Sequence, residues 1–298
     1  MEASVANVSV RSPIRARRIR FSYPVAMSRH FVDGDLIMSH AIAMLSAVFP
    51  EGEDFFVRSV RHYRADITDA ALQIEVAGFI GQEVTHGREH REVNAKLQQM
   101  GYPTRIRERV TKRILSVIYR VAPQRVSLAL TAALEHYTAT LAALLLTDPK
   151  ARELITSDEI RKLLLWHAYE EVEHKSVAFD VYRHIGGSER LRIWTMRATH
   201  AAFLGSLCLA TLVSMLGDRT TYNPVRLARS VSALRRNPWF TRGLIHELGT
   251  YHRRGFHPDH NQTAHLLEAW GSELFGDNGL LAENMQSSKI DRAVRAPR

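Results

Sequence analysis

Two stretches, GQEVTHGREH at residues 81–90 and HAYEEVEHKSVAFDVY at 167–182, decide how this chain folds. Each holds a Glu-x-x-His pair, Glu83 with His86 and Glu171 with His174. On a helix, residues three apart share a face. Each pair therefore aims one oxygen and one nitrogen ligand at a common point. In the second stretch His167 precedes Glu171 by one turn and joins the same stripe. In the first, Glu83, His86 and His90 form the matching stripe. Each stripe covers two turns, about 10 Å, which suits two metal ions about 3.5–4 Å apart.

Two lone acids extend the set. Glu135 is the only acid in LALTAALEHYTATLAALLL at 128–146. An ionised carboxylate in such a run needs a partner or takes a proton, and a metal ion is the natural partner. Upstream, FPEGEDFF at 49–56 offers Glu51, Glu53 and Asp54. Glu53 shares a helical face with Phe56, Val60 and Tyr63. Glu51 lines up with Phe55, Arg58 and His62, a more polar face. Glu53 is therefore the inward acid.

The candidate ligands are Glu53, Glu83, His86, Glu135, His167, Glu171 and His174. Their order is single Glu, Glu-x-x-His, single Glu, Glu-x-x-His. It matches the di-iron or di-manganese carboxylate site of a ferritin-like four-helix bundle. One Glu-x-x-His arises readily by chance; two, with two lone acids in apolar helices, do not.

Around this centre the chain reads as all-α. Residues 1–34 form an irregular basic arm containing Pro13 and Pro24. Residues 35–190 form the ferritin-like dinuclear-metal bundle. A helix from Asp35 ends near Pro50, and a second short helix follows. A long helix runs from about Asp69 to Met100, stopped by Gly101 and Pro103. A basic helix leads to Pro123, and an apolar one spans Gln124 to Thr147. Thr156 and Glu159 have capping-box spacing and predict a single helix onward to His184, closed by Gly186 and Gly187. Residues 191–285 form a C-terminal helical extension packed on the bundle, and 286–298 a tail. The uncharged stretch AAFLGSLCLATLVSMLG at 201–217 reads as a buried core helix; docking on a membrane is the alternative.

With 298 residues and 45% apolar content the chain can build a large core. The lone Cys208 excludes an internal disulfide and any thiolate metal site. Arg11, Arg15, Arg17, Arg18 and Arg20 stand where a secretory signal would be apolar, so a cytoplasmic protein, membrane-associated in the alternative, is expected. The net charge of +9 reads as a solvated basic surface or as a sign of anionic partners. No nucleic-acid-binding motif accompanies it. A homodimer stays open, as does a peripheral membrane contact through 201–217. His136 points about 100° away from Glu135 and reads as a core histidine. His257 and His260 in GFHPDH form a weak metal motif, since Pro258 argues for a loop. Asp180 is a candidate to orient a histidine ligand.

FPEGEDFF, GQEVTHGREH, EEVEHKSVAFDVY and GFHPDH together resemble a bacterial family described as predicted metal-dependent hydrolases, over about residues 20 to 275. The ligand spacing alone also resembles the p-aminobenzoate N-oxygenase family, whose ferritin-like bundle holds a non-haem di-iron centre. That family carries one extra histidine, as H-x-x-x-E-x-x-H, and His167, Glu171 and His174 match it. The resemblance implies two Fe ions, with Mn or a mixed Mn/Fe pair as alternatives. Carboxylates and imidazoles without thiolate suit the same metals.

The expected chemistry is O2-dependent oxidation of a small hydrophobic or aromatic molecule, with electrons from a separate donor. The four glutamates hold the catalytic metals. Hydrolysis at a two-metal site is the rival, and iron storage or a purely structural helical protein the lesser alternatives.

Overall fold

The computed structural model describes residues 14–286, and among them it is all-α, with twelve helices and no strand. Arg11 of the expected basic arm and nearly all of the expected 286–298 tail lie outside the described residues.

Local chemistry sets the boundaries of the first five helices. Asp35 caps α1 (Leu36–Ser46), its Oδ1 accepting from Met38 N at 2.8 Å. Pro50 sits in the first turn of α2 (Phe49–His62), where its missing N–H has no intrahelical partner to lose. Asp69 caps α3 (Ala70–Gln99), and Gly101 leaves that helix at φ +97°. Pro103 and Pro123 bracket α4 (Thr104–Val121) and open α5 (Gln124–Thr147). These five expected helices therefore appear almost where the sequence places them.

The next segment differs from expectation. After a short α6 (Pro149–Glu153), the predicted single helix up to His184 is two, α7 (Asp158–His174) and α8 (Val177–His184). The chain turns at Lys175 and Ser176, where the Lys175 ammonium donates to Thr263 Oγ1 at 2.9 Å. The capping box is also absent. Ser157 is the N-cap and makes no side-chain cap bond, while Thr156 Oγ1 donates to Phe31 O at 2.9 Å. Thr156 thus ties α7 to the N-terminal segment instead of closing its own helix.

Helices α2, α3, α7 and α5 pack in a closed ring, each against the next. One apolar cluster, including Phe31, Tyr102 and Trp166, fills one side. A second, including Phe55, Phe79 and Phe179, fills the other. The ring of Trp166 meets His86 edge-on at 4.8 Å, and Phe79 meets His174 at 4.9 Å. The polar centre is therefore held between two dry layers.

Residues 14–34 are irregular, as expected, yet tightly held. They cross α3 so closely that a Cβ on Gly78 would stand 2.5 Å from Ile14 O, and one on Gly81 2.6 Å from Ala16 Cβ. Only glycine admits that approach. Arg20 N donates to Asn284 O at 3.0 Å, so this strap also grips the far end of the described chain.

The remaining helices are α9 (Glu189–Leu216), α10 (Pro224–Leu234), α11 (Arg242–Thr250) and α12 (Ala264–Phe275). They pack on the ring and on α1, mainly through α9 on α1 and α5, α11 on α5, and α12 on α7. Arg192, fully buried on α9, fastens residues 251–256. Its Nη2 donates to Arg253 O at 2.8 Å and to Glu189 Oε2 at 2.7 Å, and its Nη1 to Tyr251 O. The reading of 201–217 as a buried core helix fails. Leu204, Leu209, Leu212, Val213 and Leu216 are 47–63% exposed. Only one side of α9 meets the body.

Candidate metal centre

All seven candidate ligands are buried, none more than 4% exposed. Helix α2 brings Glu53, α3 brings Glu83 and His86, α5 brings Glu135, and α7 brings His167, Glu171 and His174. Glu51 and Asp54 turn outward, with Asp54 exposed. The face argument for Glu53 therefore agrees with its placement.

The side chains fall into two groups. Ligand atoms of Glu53, His86 and His167 lie within 4.8 Å of one another, and so do those of Glu83, Glu171 and His174. Glu135 adjoins the second group, its Oε2 lying 3.4 Å from His174 Nε2. Two carboxylates span both groups. Glu171 places Oε1 2.8 Å from His167 Nε2 and Oε2 3.7 Å from His174 Nε2. Glu83 Oε1 lies 3.0 Å from His174 Nε2 and 3.7 Å from His86 Nδ1.

Most atoms aimed at the centre lack an aligned hydrogen bond within the protein. Both carboxyl oxygens of Glu53, Glu83 and Glu135 are in this state, as are Glu171 Oε2, His86 Nδ1 and His174 Nε2. Stranding one buried polar atom costs about 1–3 kcal/mol. A cluster of nine converging atoms is what two metal ions would satisfy. The donors are carboxylate and imidazole throughout, so the residues present fit a pair of Fe, Mn or similar ions.

Each histidine is aimed by a bond at its far nitrogen. His86 Nε2 donates to Glu170 Oε2 at 2.9 Å, which turns Nδ1 inward. His174 Nδ1 donates to Gln82 Oε1 at 2.8 Å, which turns Nε2 inward. His167 Nδ1 is hydrogen-bonded to His90 Nε2 at 2.8 Å, and its Nε2 faces the centre. The last chain continues outward, His90 Nδ1 to Ser46 Oγ at 3.0 Å, Ser46 Oγ to Asn94 Oδ1 at 2.8 Å, and Asn94 Nδ2 to Glu108 Oε1 at 2.9 Å. With a metal ion on Nε2, His167 would carry its proton on Nδ1, and every donor in the chain would then have one acceptor. His90 is thereby placed behind His167 and not among the ligands.

Sequence reasoning missed the groups that do this aiming. Arg17 of the strap donates to Glu170 Oε1 at 2.9 Å and to Glu173 Oε2 at 2.8 Å. Glu173 in turn accepts from the Gln82 amide nitrogen. The carboxylates behind His86 and His174 are thus held by a cation from more than 150 residues away. The available signal was the density of acids in YEEVEH, where Glu170 and Glu173 sit three apart. Their partner was not visible. Arg17, expected as part of a solvated arm, is an internal ion pair.

The electrostatics are self-balancing. Burial pushes the Glu53 carboxyl well above its ordinary range, with Glu83 adding to the effect. Burial and the charge of Glu171 raise Glu135 to about 8. Burial also opposes ionisation of Glu83 and Glu171, but His174 and His86 hold Glu83 low, and His167 and His174 hold Glu171 well below the usual range. For His86 burial works downward, yet Glu170 and Glu83 lift it to about 10. His174 rises likewise, against burial, through Glu135, Glu171 and Glu83. Burial, with His86 beside it, lowers His167.

Gly87, next to His86, makes room for Glu53. A Cβ there would lie 3.1 Å from Glu53 Oε2. Beside Glu53 opens an apolar cavity of about 200 Å³, bounded by residues such as Phe56, Ile118, Leu134 and Tyr137. It leads outward between α4 and α9.

Other suggested sites resolve differently. His136 packs against Tyr251 and Phe256 and donates to Glu247 O, in keeping with a core role. His257 Nε2 donates to Asp180 Oδ1 at 2.7 Å, and its Nδ1 accepts from Asp259 N at 3.2 Å. Both of its nitrogens are engaged, and Asp180 orients this loop histidine instead of a ligand. A third buried cluster, His30, His40 and Asp218, already contains a cation: Arg29 Nε lies 3.1 Å from Asp218 Oδ2. It acts as a clasp, with Ser214 Oγ bonded to His40 Nδ1 at 2.7 Å.

The family model described as "Predicted metal-dependent hydrolase" matches residues 15–262. The chain belongs to that family. The match spans the strap, the whole ring and GFHPDH. No curated protein and no solved structure matches the chain. Family membership and the buried Glu/His cluster together make this a metal-dependent enzyme in the coarse sense, whichever reaction it runs.

Proposed function

We propose that this family member is a dinuclear-metal enzyme whose ring is a ferritin-like bundle and whose centre oxidises an apolar substrate with O2. One observation carries the reading: nine ligand-type atoms on four helices converge on one buried centre without an aligned protein hydrogen bond. Glu53, His86 and His167 would hold one ion, and Glu135 and His174 the other. Glu83 and Glu171, each near ligands of both groups, would bridge. Iron, manganese or a mixed pair bound there would supply redox chemistry, with electrons from a separate donor. The chain's own groups do the rest. Glu170, Gln82 and His90 fix the imidazoles. Trp166 and Phe79 keep bulk water away. The cavity at Glu53 presents an apolar wall, which favours O2 and a hydrophobic or aromatic substrate over a charged one.

Hydrolysis is the second reading, and the family description favours it. Two ions could polarise a carbonyl or phosphoryl oxygen and activate water. What speaks for oxidation is the donor chemistry and the dryness of the access route.

Elemental analysis of protein purified without added metal should give close to two Fe or Mn per chain. Fe(II)-loaded protein mixed with O2 should then develop a transient visible absorption band. Zinc-loaded protein that cleaves apolar esters or amides under anaerobic conditions, with no reaction of the iron form toward O2, would replace this reading with the hydrolytic one.

A further inference from the structure

The cavity beside Glu53 reaches the surface between α4 and α9. There Arg107 Nη2 donates to Ser206 Oγ at 3.1 Å, and Ile114 and Ala202 on its lining are exposed. Around this mouth lie two apolar faces that nothing among the described residues covers. On α4, Ile106, Val110, Ile114, Val117 and Val121 are 41–76% exposed. At 100° per residue they fall within an arc of about 80°. On α9, the exposed positions run Leu204, Leu209, Leu212, Val213 and Leu216. Residues 198–217 contain no Asp, Glu, Lys or Arg.

Cations border these faces. Exposed Arg109, Arg113 and Arg120 flank the α4 stripe along one side. Exposed Arg226, Arg229, Arg235 and Arg236 follow the end of α9, beside exposed Val225 and Val231. An apolar stripe edged by arginine is the pattern of an element lying in a membrane interface, with anionic headgroups as counter-charges. A second protein copy would bring the same arginines to the contact, like against like.

Helix α9 is long and apolar enough to cross a membrane. It is nevertheless tied down along its length. Ser214 binds His40, Ser206 receives Arg107, and Asp218 just beyond the helix accepts from His30 Nε2 at 3.0 Å and pairs in charge with Arg29, whose Nε lies 3.1 Å away. A crossing helix would surrender these bonds in a medium that offers no replacement.

We infer that the α4–α9 face docks in the plane of an anionic lipid surface and sets the cavity mouth against it. An apolar molecule dissolved in the lipid then reaches the centre without passing through water. The substrate half of this inference rests on the proposed function; the docking half does not require metal.

Co-sedimentation with vesicles of phosphatidylcholine containing about one-third phosphatidylglycerol tests the docking, with pure phosphatidylcholine as control. The full chain should pellet with the anionic vesicles, be released by high salt, and partition at least tenfold less to the neutral ones. The double variant Val110→Glu, Val117→Glu changes only exposed positions that do not line the cavity. It should keep its thermal unfolding profile and lose vesicle binding by tenfold or more. Three results overturn the inference: no preference for anionic vesicles, pelleted protein that resists salt and alkali and needs detergent, or a wild-type dimer that the double variant dissociates while vesicle binding is absent. Separately, Leu134→Trp should block decanol binding by calorimetry while leaving vesicle binding intact. Decanol binding unchanged in that variant would remove the substrate half alone.

Discussion

Four glutamates in one buried cluster would repel one another, so protons decide how this centre waits for metal. Burial raises Glu53 and Glu135, Glu135 to about 8, and Glu170 and Glu83 lift His86 to about 10 against burial. His174 is raised as well. Divalent ions would take the place of the protons that such raised groups hold. Loading at pH 7 should therefore release about two protons or more, those of Glu135 and His86 at least. Calorimetry in buffers of differing ionisation heat measures that number, and a value near zero would contradict the assignment. The sign follows. These groups are raised, so protons compete with metal at low pH; affinity should climb as pH rises toward about 8, where Glu135 gives up its proton, and climb more gently beyond. Gly87→Ala tests the packing at the same scale. Its Cβ would crowd Glu53 Oε2 at 3.1 Å. One ion of the two should be lost or bound at least tenfold more weakly, with the helical circular-dichroism signal retained. The seven residues were legible because each is a charged or imidazole group on a helix otherwise apolar on that face. Their aiming partners were not, because Arg17 meets Glu170 and Glu173 only once the strap has crossed α3.

At the scale of elements, the helix boundaries that a cap or a proline dictates were readable from the chain. Asp35, Pro50, Asp69, Gly101, Pro103 and Pro123 act through their nearest neighbours; α1 to α5 begin, and α3 ends, by them. The break between α7 and α8 was not readable. It depends on Lys175 reaching Thr263, far along the chain. Thr156 likewise has the spacing of a box but spends its hydroxyl on Phe31 O. The strap carries an element-scale prediction. Arg17→Ala would leave Glu170 and Glu173 without their shared cation behind the imidazoles. Metal affinity should fall about 10- to 100-fold, read by competition with a chelating dye. An unchanged affinity would show that the strap serves only packing. Arg192 offers a second. Arg192→Leu would strand the carbonyls of Tyr251 and Arg253 and lower stability by about 2–4 kcal/mol, measured by urea unfolding; the metal ring, which it does not touch, should still load.

Over the whole molecule, the all-α class was legible and the standing of 201–217 was not. Hydropathy reports what a segment is made of, and a core helix and an uncovered one can share a composition. Here α9 turns its polar atoms, Ser214 and Ser206, toward the body and leaves Leu204, Leu209, Leu212 and Leu216 outside. The inward direction of Glu53 was decided by helical phase, because a ring of four helices has an inside. The outward face of α9 has no such arbiter. One residue on that face turns this into an opportunity. Cys208 is the chain's single cysteine, and it is exposed on α9. A solvent-sensitive fluorophore attached to its sulfur would report, without any engineered handle, the moment when the aqueous side of this helix goes dry.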